Sequence, residues 1–207
     1  MTDCPEEQQT QHYGRKWRGF GPVRNNERLI FAVFDRTPRD GNSLIKNSFN
    51  NSHLIAYEES VARQLYVTRS VFDSKIVSPS IPLRGPLVGI SCADVTRLRR
   101  LRVDIPRGPN RFVNIRAICV LDKVVAGDFD GHATLGYAGV GALNVGKEQL
   151  GKVRSRIRLD LATKVFSEVQ HPNNNRWRHP ITVALARAHS VLRVLWGELS
   201  RWSRRSA

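Results

Sequence analysis

The chain has 207 residues, of which 41% are hydrophobic, and a formal net charge of +15. That length fits one folded domain with loose ends, and the hydrophobic share supports a proper core. So much like charge adds nothing to stability, which points to nucleic acid or an anionic membrane surface as partner.

The three cysteines, Cys4, Cys92 and Cys119, lack zinc-ligand spacing and make no even disulfide framework. Cys92 and Cys119 sit among apolar residues and read as buried free thiols in a reducing compartment. The start, MTDCPEEQQTQ, is polar and acidic and does not read as a secretory signal. The longest uncharged run, 131–146, is too short and too glycine-rich to span a bilayer. Peripheral membrane contact stays compatible with the charge.

Three regions follow. Residues 1–28 read as a flexible polar and basic arm, 29–180 as a β-rich core, and 181–207 as an amphipathic segment with a basic tail. In the core, Leu29–Phe34 is an apolar strand closed by Asp35–Pro38. Leu54, Tyr57, Val61 and Leu65 have helical spacing. Tyr66–Phe72 reads as a strand, and Pro79, Pro82 and Pro86 make 78–86 an irregular connector. Strands are then expected at Leu87–Cys92, Leu98–Ile105, Phe112–Leu121, Thr134–Leu143 and Lys152–Phe166. Many short strands between Gly/Pro turns predict a mostly β protein, a single jelly-roll-like β-sandwich. At the end, Ile181, Leu185, Ala188, Leu192, Leu195, Leu199 and Trp202 recur at helical spacing after Pro180. Val191–Trp196 also reads as a strand, and the helix is the preferred reading.

Two of these segments carry cations at strand alternation. In one, Lys152, Arg154, Arg156 and Arg158 share a face. In the other, Arg100 and Arg102 oppose Leu101, Val103 and Ile105, with Arg97 and Arg99 close by. On a strand, same-face side chains recur about every 6.6 Å, which suits an extended phosphate backbone. Arg107, Arg111 and Arg116 extend the basic surface. A solvated edge strand protected by cations is the bland explanation of either segment alone. Two such segments, with the net charge, favour single-stranded nucleic acid held by its backbone. Trp17, Phe20, Trp177 and Trp202 lie beside arginines and are candidates for base stacking.

No catalytic site is legible, and no cofactor or metal is expected. Gly141–Lys147 matches the start of a phosphate-binding loop, but Glu148 stands where a Ser or Thr should hold magnesium. The turn Ala126–His132 clusters Asp128, Asp130 and His132 and reads as an ordinary acidic turn.

The run Cys119–Lys123 (CVLDK), followed after a short loop by Ala133–Gly136 (ATLG), resembles the core motif of plant-virus cell-to-cell movement proteins of the 30K superfamily. Val95–Pro106 resembles the strand before that motif in tombusvirus-type members. The resemblance covers roughly residues 87–165. It implies a jelly-roll-like, non-enzymatic domain that binds single-stranded RNA, the viral genome, cooperatively and can form homo-oligomers. It also implies association with host endomembranes and plasmodesmata on the cytoplasmic side, and transport of the genome between cells. The family's near-universal aspartate maps onto Asp122, and Gly136 closes the motif. From the residues themselves, Asp122 should fix a strand end, by accepting turn N–H groups or pairing with an Arg or Lys, so its role is structural. The alternative is a jelly-roll coat subunit that binds RNA.

Overall fold

The computed structural model describes residues 4, 11–13, 23–108, 111–125, 131–138 and 145–203. In chain order the strands are β1 (Gln11–Tyr13), β2 (Arg28–Phe34), β3 (Arg39–Asp40), β4 (Ser43–Leu44), β5 (Glu59–Arg63), β6 (Leu87–Asp94), β7 (Arg102–Gly108), β8 (Arg111–Arg116), β9 (Ile118–Val125) and β10 (His132–Tyr137). The helices are α1 (Asn51–Ala56), α2 (Arg69–Phe72), α3 (Ser78–Arg84), α4 (Val95–Arg100), α5 (Lys147–Asp160) and α6 (Pro180–Ser203). The main sheet runs β1-β9-β10-β5-β2-β6, antiparallel except for the β1–β9 pair. Hairpins β3–β4 and β7–β8 stand apart from it.

Strand alternation gives this sheet two apolar faces. Leu29, Phe31 and Val33 of β2, Val61 of β5, and Ile118 and Val120 of β9 face the larger core. There they meet α4 through Val95 and Leu98, β7 through Val103 and Ile105, and α5 through Val153 and Ile157. Phe31, Phe49 and Phe166 form its aromatic centre, with ring centroids 5.0–5.9 Å apart. Ile30, Ala62 and Ile90 face the other way, towards Val67, Phe72, Ile76 and Trp177.

The expected mostly β jelly-roll sandwich does not form: 45% of the described residues are helical and 31% are in strands. The largest single difference is Lys152–Leu161. Its Arg/apolar alternation looks like a strand, but Leu150, Val153, Ile157 and Leu161 also lie three and four residues apart. That spacing makes one helical stripe, and Glu148 and Gln149 before it and the intervening Lys and Arg are good helix formers. The same ambiguity put Leu98–Ile105 in one strand; α4 ends at Arg100 and β7 begins at Arg102. The segment 64–72 is a 3-10 turn followed by α2, capped by the Thr68 hydroxyl accepting from the Val71 N–H at 3.2 Å. The proline connector is helical: α3 continues a π-helical turn, Asp73–Val77, with Pro79 near its start and Pro82 inside it.

The expectation of a free thiol at Cys119 also falls. Cys119 is disulfide-bonded to Cys4, across 115 residues of sequence, and β1 of the same N-terminal segment pairs with β9. Cys92 is the free cysteine, and burial pushes its thiol pKa up. Trp17, Phe20, most of the acidic turn and Gly141 to Asn144 lie outside the described residues.

Candidate nucleic-acid interface

Hairpin β7–β8 is built like one wall of a sandwich. Val103 and Ile105 are buried in the main core. The alternate positions face outward, and the register sets Arg102 opposite Arg116, Asp104 opposite Asn114, and Pro106 opposite Phe112. Directly opposed residues on a strand pair have Cβ atoms about 5 Å apart, so Arg102 and Arg116 put two cations on the same face. Asn114 Nδ2 donates to Asp104 Oδ1 at 2.7 Å. Arg116 Nε donates to the Ile118 carbonyl at 2.8 Å, which holds that guanidinium beside the sheet. Phe112 is 66% exposed, an aromatic ring standing on an arginine-bearing surface.

Helix α4 leads directly into this hairpin. Its Val95 and Leu98 are buried, so Arg97 and Arg100 fall on the exposed side. Arg99 does something different. Its Nη2 donates to the Val23 carbonyl at 2.6 Å and its Nη1 to Asn25 Oδ1 at 2.5 Å, tying α4 to the chain before β2. Thus Arg97, Arg100, Arg102 and Arg116 lie with Phe112 on one continuous stretch of chain, whereas Arg111, at the turn end of β8, alternates with Phe112 and starts the strand on its other side.

The four cations of α5 do not make a row. Helical geometry divides them into two pairs one turn apart. Lys152 and Arg156 are exposed and meet acids on their own helix: Lys152 Nζ lies 2.7 Å from Glu148, and Arg156 Nε 3.4 Å from Asp160. Arg154 and Arg158 are half-buried, and Arg154 lies over the Tyr137 ring at 5.7 Å. Tyr137 donates to Asn51 Oδ1 at 2.9 Å. Burial pushes the Tyr137 hydroxyl up to about 12, although both arginines pull it down.

Asp122 and Gly136 lie inside the molecule. Asp122 is buried on β9, where Arg63 Nη1 donates to its Oδ1 at 2.8 Å. Arg63 is itself fully buried. Its Nε and Nη2 bind the two oxygens of Glu27 at 2.7 and 2.6 Å, and its guanidinium lies 4.5 Å from the Tyr66 ring centre. Burial alone would lower the Arg63 pKa; the Glu27 hydrogen bonds and the Asp122 and Glu27 charges outweigh it and hold the group above its usual value. The intervening strand β10 carries the small Ala133 between Val61 and Asp122, at the end where the guanidinium crosses it. Gly136 lies under Tyr57: a Cβ there would sit 2.0 Å from the tyrosine ring. Tyr57 holds that place with a left-handed backbone, φ 58°, and donates to the Tyr137 carbonyl at 2.8 Å.

Three residues escaped the sequence reading. Arg63 interrupts the apolar side of a strand, a signal in itself, since a charged residue in a core position needs a partner. Phe112 was read as part of a core strand. Tyr57 was read only as a helix-face residue. Trp177, in contrast, is a packing residue: its ring lies 5.0 Å from that of Phe72, and its Nε1 donates to the Pro172 carbonyl at 2.8 Å.

Comparison with family models, with curated proteins and with solved structures finds no match in any of the three.

Proposed function

We propose that the protein binds single-stranded RNA through the α4–β7–β8 surface, without sequence preference, and that it carries a viral genome between plant cells. The observation that carries the first half is the outward face of β7–β8, where Arg102 faces Arg116 and Phe112 stands exposed. Opposed arginines attract phosphate, and an exposed ring stacks on any base, so affinity arises without base readout. Support for the second half is the motif Cys119–Lys123 and Ala133–Gly136, whose two parts pair as neighbouring strands around Asp122. Both this reading and the coat-subunit alternative expected a jelly roll, which does not form, so the motif and the arginine-bearing surface carry the choice between them.

Binding of a fluorescent single-stranded RNA, titrated at several salt concentrations, tests the interface. Replacing Arg97, Arg100 and Arg102 by Ser should make the log-log salt slope shallower by about 2, at roughly 0.7 per lost phosphate contact. Phe112→Ala should weaken binding by about 1–3 kcal/mol with the slope unchanged. An unaltered slope in the triple variant would remove this surface from consideration. Transport is tested by rescue of a movement-deficient virus in leaf tissue, where absence of spread from the wild-type chain rules it out.

A further inference from the structure

Helix α6 is 24 residues long, about 36 Å at 1.5 Å per residue. Near its start it touches the rest of the protein. Val183 is buried there, and Arg187 Nη2 donates to the Tyr66 carbonyl at 3.2 Å. On the other side Ile181, Leu185, Leu192 and Trp196 are 65%, 66%, 65% and 76% exposed. With Ala188, also exposed, they fall within an arc of about 80° at 100° per residue. Such a stripe is far more apolar than a solvated helix face requires.

We propose that this stripe of α6 lies in the surface of an anionic membrane, with the helix axis along the membrane plane. The sequence 176–207 has seven arginines against a single acidic residue, Glu198. A cationic segment with a Leu/Trp stripe is what an anionic headgroup layer accepts: the apolar side enters the acyl boundary and the arginines stay with the phosphates. No described helix is long and apolar enough to cross a membrane, so the contact runs along the surface. A second copy of the chain fits less well. A helix pair would bring arginine against arginine, and one glutamate supplies few of the acid–base pairs that flank such seams. Ile81 and Leu83 are exposed on α3, and α3 covers the sheet face that Trp177, just before α6, also packs on. The arginine hairpin packs on the opposite face of the sheet, through Val103 and Ile105.

The inference does not depend on the RNA reading, and its test separates the two. Flotation of the full chain with phosphatidylcholine vesicles, with and without phosphatidylserine, is the measurement. The wild-type chain should float only with the anionic vesicles. Leu185→Glu with Leu192→Glu should weaken that partition at least about tenfold, because both side chains leave the apolar layer. Both residues are exposed, so circular dichroism and RNA binding should stay as in the wild type. Trp196→Ser should give a smaller loss in the same direction. Equal flotation with neutral vesicles, or unchanged flotation of the double variant, overturns the proposal. So does a wild-type dimer that ignores vesicles and becomes monomeric in the double variant, which would make the stripe a seam between copies.

Discussion

Arg63 and Arg102 are the same residue type on strands of the same domain, yet they do opposite work. Arg63 is fully buried, and its donors end on Glu27 and Asp122. Arg102 is exposed, on the outward face of its hairpin and directly opposite Arg116. The first arrangement is closed, with its charge compensated inside the protein. The second is open and gains from an external anion. In a chain of +15, counting cations says little about binding until each is assigned to one of these two conditions.

The comparison is broken most strongly at the buried end. Asp122→Ala leaves Arg63 with less compensation in the core and should cost about 3–5 kcal/mol, seen as a lower denaturant midpoint. Arg102→Ser should move the same midpoint by no more than about 0.5 kcal/mol. If Asp122→Ala unfolds no more readily than Arg102→Ser, the buried cluster is not what holds β9 against β5. Loss of transport by Asp122→Ala with wild-type folding and RNA affinity would likewise contradict a structural role.

Glu59 sharpens the contrast by pH. It is buried on the same face as Arg63 and accepts from the Asn50 N–H at 2.9 Å. Burial pushes its carboxyl up to about 7. The folded state therefore holds this proton more tightly than the unfolded chain. Its contribution is fully present below about 4.5 and is lost as pH rises through about 7. Glu59→Gln should flatten that fall in thermal melts recorded across this range, and an identical pH profile in both proteins would refute it.

A smaller effect is expected at Gly136. Ala there must displace the Tyr57 ring, at about 1–3 kcal/mol. Smallest of all is the pair Lys152–Glu148, exposed on both sides, where Lys152→Ala should change stability by no more than about 0.5 kcal/mol. A larger loss would show that α5 depends on its surface charges as well as on Val153 and Ile157.

Much of the sheet was legible. Leu29–Phe34 and Leu87–Cys92 are strands close to the expected limits, since β-branched and aromatic runs bounded by turn residues leave few alternatives. Lys152–Leu161 was not, because its apolar residues satisfy both a period of two and a spacing of three and four. Only the position of the main core, which Val153 and Ile157 enter together, selects the helix. The candidate surface was half legible for the same reason. Arg97, Arg100 and Arg102 stay together in either conformation, whereas the cations of α5 separate once the segment is helical.

By itself, then, the sequence determined the charge, the apolar strands of the sheet, and the motif around Asp122, because these depend on residue type and short-range order. It could not decide which arginines face water. That depends on partners far along the chain: Glu27 is 36 residues from Arg63, and Asp122 is 59. Only the tertiary structure brings those carboxylates to one guanidinium, and a buried charge survives there because its compensation arrives from two distant segments at once.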